Sequence, residues 1–430
     1  MAALEPTYLK AAPWHAPTAA ADVRTRVSEL LLEIDRDRET AVRRISERLD
    51  QWAPMSFVVE ASEIKAAATA IDAQLAGHIA FALEQVRAFA RAQLATLGSL
   101  EIEPMPGITL GHRHLPVGAV GAYVPGGRYP MLASAFMTVA VAKVAGVSDV
   151  TACAPPQGGK RLNRAVLHAI ATSGADRILC LGGVPAIAAM AFGLCGTAPV
   201  DLIVGPGNAY VTEAKRQLFG TVGVDLLAGP TEIAVIADET AEPVRVAADL
   251  LGQAEHGPNS PALLISTSEP LARAVLAAVE RLLPEWPTRE VAEQAWQAHG
   301  AVAVVADDEA AMRLADRHAP EHLEVHVAEH KLDAYLDGLR CYGALFLGSE
   351  ATVAYGDKAI GTNHVLPTLG AARFTGGLWV GSFLRTCTYQ RLTAAGTMAV
   401  APATAAISHA EGFGGHARTA ELRFEEARLG

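Results

Sequence analysis

What the chain lacks narrows its class before any motif is read. Five cysteines in 430 residues (Cys153, Cys180, Cys195, Cys341 and Cys387) are odd in number and form no C-x-x-C pair. That excludes a disulfide framework and a thiolate metal site, and it suits a reducing cytoplasm. Lys and Arg never run to five or six in a row and the net charge is -11, so neither nucleic acid nor an anionic membrane is an expected partner. The most apolar long stretch, Met131 to Val147, is interrupted by Ser134, Thr138 and Lys143, and the N-terminus has no basic region followed by an apolar core. A cytoplasmic protein without targeting or membrane-spanning segments is therefore expected. Apolar residues make up 51% of the chain, enough for large cores, and the length suggests two or three domains of roughly 150 residues.

Hydrophobic spacing sets out the organisation. Val23 to Leu49 and Ala61 to Leu97 place apolar residues three and four apart, which predicts amphipathic helices packed on something larger. From about residue 115 short apolar runs alternate with Gly/Pro turns and helical stretches. The predicted strands are 117–124, 149–154, 177–181 and 201–204, with helices between them, and a second series runs from Glu232 to Leu347. Such βαβ alternation predicts parallel sheets covered by helices. The segment from about residue 373 is too small for its own core and is expected to pack on another surface.

Several polar features stand out from this framework. Gly205-Pro-Gly-Asn208-Ala-Tyr210 follows a predicted strand and opens a helix, the right setting for a phosphate, but Tyr210 replaces the third glycine of G-x-G-x-x-G. The alternative is a tight strand-to-helix turn, and the Gly126-Gly127 turn is no stronger. His318, His322, His326 and His330 are spaced by four, yet Pro320 and the alternating Leu323-Glu-Val-His-Val prevent a shared helical face. Four further segments carry ligand-type side chains: Gln253-Ala-Glu-His256, Glu321-His322, Asp357 with Gly361-Thr-Asn-His364, and Glu411 with His416. No segment suffices alone, but together they read as a site of N and O donors suited to zinc, beside a Glu-His acid/base pair. Gln253 and His256 share one face at a helix end, while Glu321-His322 begins a strand.

These segments, in this order, resemble the zinc-dependent histidinol dehydrogenase superfamily over nearly the whole chain. The matching strings are Val124-Pro-Gly-Gly, Val204-Gly-Pro-Gly-Asn-Ala with Thr212-Glu-Ala-Lys-Arg, Ala228-Gly-Pro, Asp249-Leu-Leu-Gly-Gln-Ala-Glu-His, Ala319-Pro-Glu-His-Leu-Glu, Gly361-Thr-Asn-His-Val-Leu-Pro-Thr, and Glu411-Gly with His416. The resemblance implies a homodimer that oxidises a primary alcohol through an aldehyde to a carboxylate, with two NAD and one zinc per site. It implies Gln253, His256, Asp357 and His416 as zinc ligands, with Glu411 and His416 supplied by the partner's tail. His322 is then the general base and Glu321 the group that activates water. Tyr123 and Asn208 match cofactor contacts, as does the position of Pro185, where a Gln is common in the family. Substrate contacts are implied for Thr231, Gln253, His256, His322, Asp357, Lys358, His364, Glu411 and His416. Thr231 stands where a serine is usual and keeps its hydroxyl.

Lys358 departs from the Tyr usual after the zinc-ligating Asp. Together with Cys341-Tyr-Gly-Ala-Leu-Phe-Leu-Gly and Thr375-Gly-Gly-Leu-Trp-Val-Gly, it resembles the paralogous sulfopropanediol 3-dehydrogenase branch. A sulfonate needs cations, for which Lys358, Arg128 and Arg373 are candidates, Arg373 reading better as a structural cation. Histidinol dehydrogenase itself is the alternative, which the form of Pro320-Glu-His-Leu-Glu-Val favours. A non-catalytic metal- or nucleotide-binding protein is the reading from another class. The expected fold is α/β: two Rossmann-like parallel-sheet domains in tandem (106–231 for NAD, 232–372 for zinc and catalysis), an N-terminal helical segment (1–105) and a small dimerisation tail (373–430) that reaches the partner.

Overall fold

The computed structural model describes residues 5–14, 21–126 and 129–429. The chain opens with β1 (Thr7–Lys10) and the helices α1 (Ala21–Asp37), α2 (Glu39–Asp50), α3 (Ala61–Ala70) and α4 (Ala73–Ala95). The hairpin β2 (Leu100–Met105) and β3 (Ile108–Pro116) follows. Next, β4 (Ala119–Tyr123) leads into a helix in which α5 (Ala133–Ala135) and α6 (Val141–Val144) are joined by a π-helical turn at Phe136–Ala140. The first α/β series continues through β5 (Asp149–Ala154), α7 (Arg164–Ser173), β6 (Arg177–Cys180), α8 (Gly183–Phe192), β7 (Leu202–Val204), α9 (Ala209–Leu218) and β8 (Gly223–Val224).

The second series is β9 (Ile233–Ala237), α10 (Pro243–Ala254), β10 (Ala262–Ser266), α11 (Glu269–Leu282), α12 (Arg289–His299), β11 (Gly300–Val304), α13 (Asp308–His318), β12 (His322–His326), α14 (Leu332–Gly338), β13 (Ala344–Leu347) and α15 (Val353–Lys358). The chain ends in β14 (Leu384–Leu392), α16 (Ala394–Ala410) and α17 (Gly414–Leu429).

Both α/β series build the same strand order. The first sheet runs β6-β5-β4-β7-β8 and the second β11-β10-β9-β12-β13, so each places its third, second, first, fourth and fifth strands side by side, all parallel. No residue-level repeat announces this correspondence. Ile233-Ala-Val-Ile-Ala and Ala262-Leu-Leu-Ile-Ser are buried at every position, as strands covered on both faces must be. Capping side chains start the helices around them: Asn208 accepts from Tyr210 and Val211 N-H at α9, and Glu242 from Val244 and Arg245 N-H at α10.

Two terminal pieces lie elsewhere than helical spacing suggests. Thr7–Lys10 is a strand that pairs antiparallel with β11 at the edge of the second sheet. Four residues are too few for a periodic signal, and their partner is remote in sequence. The tail is anchored to its own chain, because β14 pairs with β3 along its whole length in a three-stranded antiparallel sheet β14-β3-β2. Beyond β14, α16 and α17 leave Ile407, Phe413 and Leu422 exposed. No single helix among the described residues is long and apolar enough to cross a membrane.

Candidate active site

The carboxyl ends of the first sheet and the amino ends of the second face a common region. Tyr123 ends β4, Gly182 and Gly183 follow β6, and Asn208 follows β7; all line a cleft of about 650 Å³. The Tyr123 hydroxyl accepts from the Gly183 N-H at 3.2 Å, and burial raises its pKa. Gly205 is required where the chain crosses this edge: its φ is +110°, and a Cβ there would stand 2.2 Å from the Tyr123 carbonyl oxygen. Pro185 is buried in the first turn of α8, where Gly183 and Val184 form the lining instead. A neighbouring pocket of about 330 Å³ shares Tyr129 and Pro130 with the cleft and is lined further by Glu255, His256 and Lys358.

The second sheet contributes its amino-terminal edge, opposite to the crevice that open α/β sheets ordinarily use. Its carboxyl-terminal crevice is filled from within. Asp238 at the end of β9 takes Lys331 at 3.1 Å, Lys331 lies 3.2 Å from Asp308, and the Tyr335 hydroxyl donates to Asp308 at 2.9 Å. At the amino edge, Glu321 just precedes β12, His322 is its first residue, and Thr231 and Glu232 lead into β9. Thr231 donates its hydroxyl to Glu321 and accepts from the Gln253 amide, while the Glu232 N-H donates to Glu321 at 3.0 Å.

His322 sits at the centre of this group. Its Nδ1 lies 3.0 Å from the Glu232 carbonyl oxygen, a bond that requires Nδ1 to carry a proton and leaves Nε2 as the nitrogen able to exchange one. Nε2 is buried without a hydrogen-bond partner; Asp357 Oδ1, at 3.7 Å, is too distant to serve. Glu321 Oε2 is 3.6 Å from Nδ1. Burial pushes Glu321 up to about 7, offset by His322 and the Thr231 hydroxyl. For His322 burial acts to lower the pKa, but Glu321 and then Asp357 outweigh it and raise it to about 9. Burial would raise Asp357 too, yet His322, His364 and Lys358 hold it below the usual carboxylate range. His256 and His364 are both lowered, chiefly by burial.

Gln253 and His256, at the end of α10, and Asp357, on α15, come together around His322. Gln253 Nε2 is 3.3 Å from His322 Nδ1, Asp357 lies toward the other ring nitrogen, and His256 senses the Asp357 charge. These N and O donors, with a buried unsatisfied imidazole nitrogen beside them, fit a zinc ion. Lys358 Nζ is 3.5 Å from Asp357 Oδ2 and reaches the smaller pocket. His364 is held between Ser134 Oγ (3.1 Å) and the Asp357 carbonyl (3.0 Å), and the Asn363 amide donates to the Met137 carbonyl in the π-helical turn. Glu411, in the turn after α16, and His416, in the first turn of α17, are both exposed, and the His416 ring lies 5.5 Å from the Phe413 ring. Arg373 is occupied by the Gly370 and Arg317 carbonyls, and Arg128 lies outside the described residues.

Two groups escaped the sequence reading. Glu232 is fully buried with neither carboxyl oxygen hydrogen-bonded; burial first, and then the Glu321 charge, push it up to about 8. Asp249, Glu324 and His326 bring donor atoms within 4.8 Å of one another. Strand alternation puts Glu324 and His326 on the face of His322, which was legible; that Asp249 packs over them was not.

The fold and site define an α/β protein with a cluster of buried titratable groups where two parallel sheets meet. The chain belongs to the histidinol dehydrogenase family of oxidoreductases, whose family model, described as "Histidinol dehydrogenase", matches residues 15–424. It is 50% identical over 401 residues to a histidinol dehydrogenase homolog of Shouchella clausii, covering 93% of this chain and 94% of that one. It is 45% identical over 418 residues to sulfopropanediol 3-dehydrogenase of Ruegeria pomeroyi, covering 97% and 95%. The crystal structure of histidinol dehydrogenase from Elizabethkingia anophelis superposes with a TM-score of 0.91 at 32% identity, covering 96% of this chain and 95% of that one.

Proposed function

We propose that this chain is a zinc- and NAD-dependent dehydrogenase of sulfopropanediol 3-dehydrogenase type, which oxidises a small anionic primary alcohol through the aldehyde to the carboxylate. The observation that carries the reading is the buried, unpartnered Nε2 of His322 among Gln253, His256 and Asp357, with His256 lining the pocket that adjoins the larger cleft. Gln253, His256 and Asp357 would hold the zinc within one chain. When bound, the ion would supply Lewis acidity at the alcohol oxygen, and two NAD in turn would each accept two electrons, one for each oxidation step. His322 in its neutral form, which a pKa raised to about 9 makes the minor one near pH 7, takes the alcohol proton on Nε2, with Nδ1-H anchored by the Glu232 carbonyl so that the ring is held in place. Glu321, held by Thr231 and the Glu232 N-H, removes the proton of the water that attacks the aldehyde.

Tyr123 and Asn208 line the cleft for NAD on the Rossmann-like first sheet. Lys358, beside Asp357 and facing the small pocket, supplies the cation that a sulfonate needs and that an imidazole would not. Three ligands in one chain leave a zinc site short of its usual four. The exposed Glu411 and His416, on a helical hairpin with uncovered Ile407, Phe413 and Leu422, complete the site of a homodimeric partner. Histidinol dehydrogenase activity is the second reading, because the Glu321-His322 pair and Thr231 hydroxyl would serve histidinol equally. NADH formation by the zinc-loaded enzyme on 2,3-dihydroxypropane-1-sulfonate and on histidinol separates the two. Turnover of the sulfonate is expected; oxidation of histidinol alone would reject the preferred substrate.

A further inference from the structure

Asp50 is the last residue of α2 and lines the 650 Å³ cleft beside Tyr123, Gly182 and Gly183. Its carboxylate is half-buried, and burial alone raises its pKa, with no hydrogen bond or cation of the described residues opposing that effect. The carboxyl end of a helix carries the negative end of its dipole, so an acid there is electrostatically unfavourable as well. A carboxylate held in this way is a strong acceptor for donors brought by a ligand.

In doubly wound dinucleotide sheets an acid following the second strand holds the adenosine ribose hydroxyls. The second strand here is β5, and the residues after it, Pro155-Pro-Gln157, offer no carboxylate. Asp50 reaches the same place from outside the sheet. A Cβ built on Gly182, two residues beyond the end of the adjacent strand β6, would stand 3.6 Å from Asp50 Oδ2 and 2.5 Å from Pro155 Cβ. Arg26 and Arg48, the other charged residues lining the cleft, are exposed.

We propose that Asp50 accepts hydrogen bonds from the 2'- and 3'-hydroxyls of the cofactor's adenosine ribose and so selects NAD over its 2'-phosphorylated form. The inference rests on the NAD reading above. A 2'-phosphate would bring about two negative charges against the carboxylate, whereas a free diol satisfies it. Removing the charge leaves Arg26 and Arg48 to attract the phosphate.

The test is calorimetric titration of the zinc-loaded, full-length enzyme with NAD and with NADP, for wild type and Asp50→Asn. Wild type should prefer NAD, and the substitution should weaken NAD binding by roughly 10- to 100-fold while NADP binding stays level or tightens. Asp50→Asn should unfold no earlier than wild type, because an unfavourable charge is relieved; should it fail to fold, Asp50→Ser carries the same comparison. A wild type that prefers NAD, with an unchanged preference in the variant, overturns this inference alone. A wild type that binds neither nucleotide overturns the cofactor reading and this inference with it.

Discussion

A carboxyl group with neither solvent nor a hydrogen-bond partner, such as that of Glu232, stays neutral near pH 7. Its folded pKa of about 8 lies above the ordinary 4.5, so the folded state keeps a proton that the unfolded chain releases. Its contribution to stability is therefore full below about pH 4.5 and is lost as pH rises through about 8, by at most about 5 kcal/mol. Glu232→Gln removes this titration, and urea unfolding midpoints should then fall less between about pH 5 and 8 than in wild type. An unchanged pH slope would show that the wild-type group is not held neutral. Lys358 makes a different prediction, because it is exposed and lines the small pocket, although it also lies 3.5 Å from Asp357. Lys358→Glu should raise KM for the sulfonated alcohol by roughly tenfold or more while sparing neutral alcohols; equal effects on both would remove its role. Glu321, His322, Gln253 and His256 stood out in the sequence as ligand-type residues, and the structure brings them together. Glu232 was not, because its role depends on having no partner, and only the packed structure shows that.

Three elements carry the site, and one buried cluster ties them together. Glu324 on β12 accepts from the Val353 N-H at the start of α15 (2.9 Å), Asp249 on α10 accepts from Thr352 (2.9 Å), and His326 Nε2 lies 3.2 Å from Glu324 and 3.8 Å from Asp249. α10 carries Gln253 and leads into the turn that holds His256, β12 carries His322 and α15 carries Asp357, so the cluster sets the mutual positions of all four. Glu324→Ala leaves His326 and the Val353 N-H unpaired, and urea denaturation should show a loss of about 3 kcal/mol. Zinc affinity should fall as well, because α15 is no longer fixed; full affinity in a destabilised variant would reduce the cluster to a structural one. Regular elements were legible to within a residue or two where they were long or flanked by Gly and Pro. Asp149–Ala154 is a strand at the expected limits, and α10 ends just before Gly257-Pro258. The π-helical turn at Phe136–Ala140 gave no signal, because its apolar run reads equally well as an ordinary helix.

At the scale of the molecule, two sheets of identical strand order are used at opposite edges, and the site lies where those edges meet. The alternation of strands and helices made the parallel sheets legible. It could not reveal that the second crevice is plugged by Asp238, Lys331 and Asp308, because those ion pairs arise from tertiary packing. A site completed by the partner predicts complementation. Mixed dimers of His322→Asn and His416→Ala protomers hold one intact site each, so random mixing of two inactive variants should restore about a quarter of wild-type activity. No recovery would place His416 in its own subunit's chemistry. The central claim is that His322, through its buried, unpartnered Nε2, is the base, and the measurement closest to it is kcat of His322→Asn at a zinc content equal to wild type. The account predicts a fall of at least about 100-fold with the fold and metal retained; turnover at the wild-type rate would contradict it.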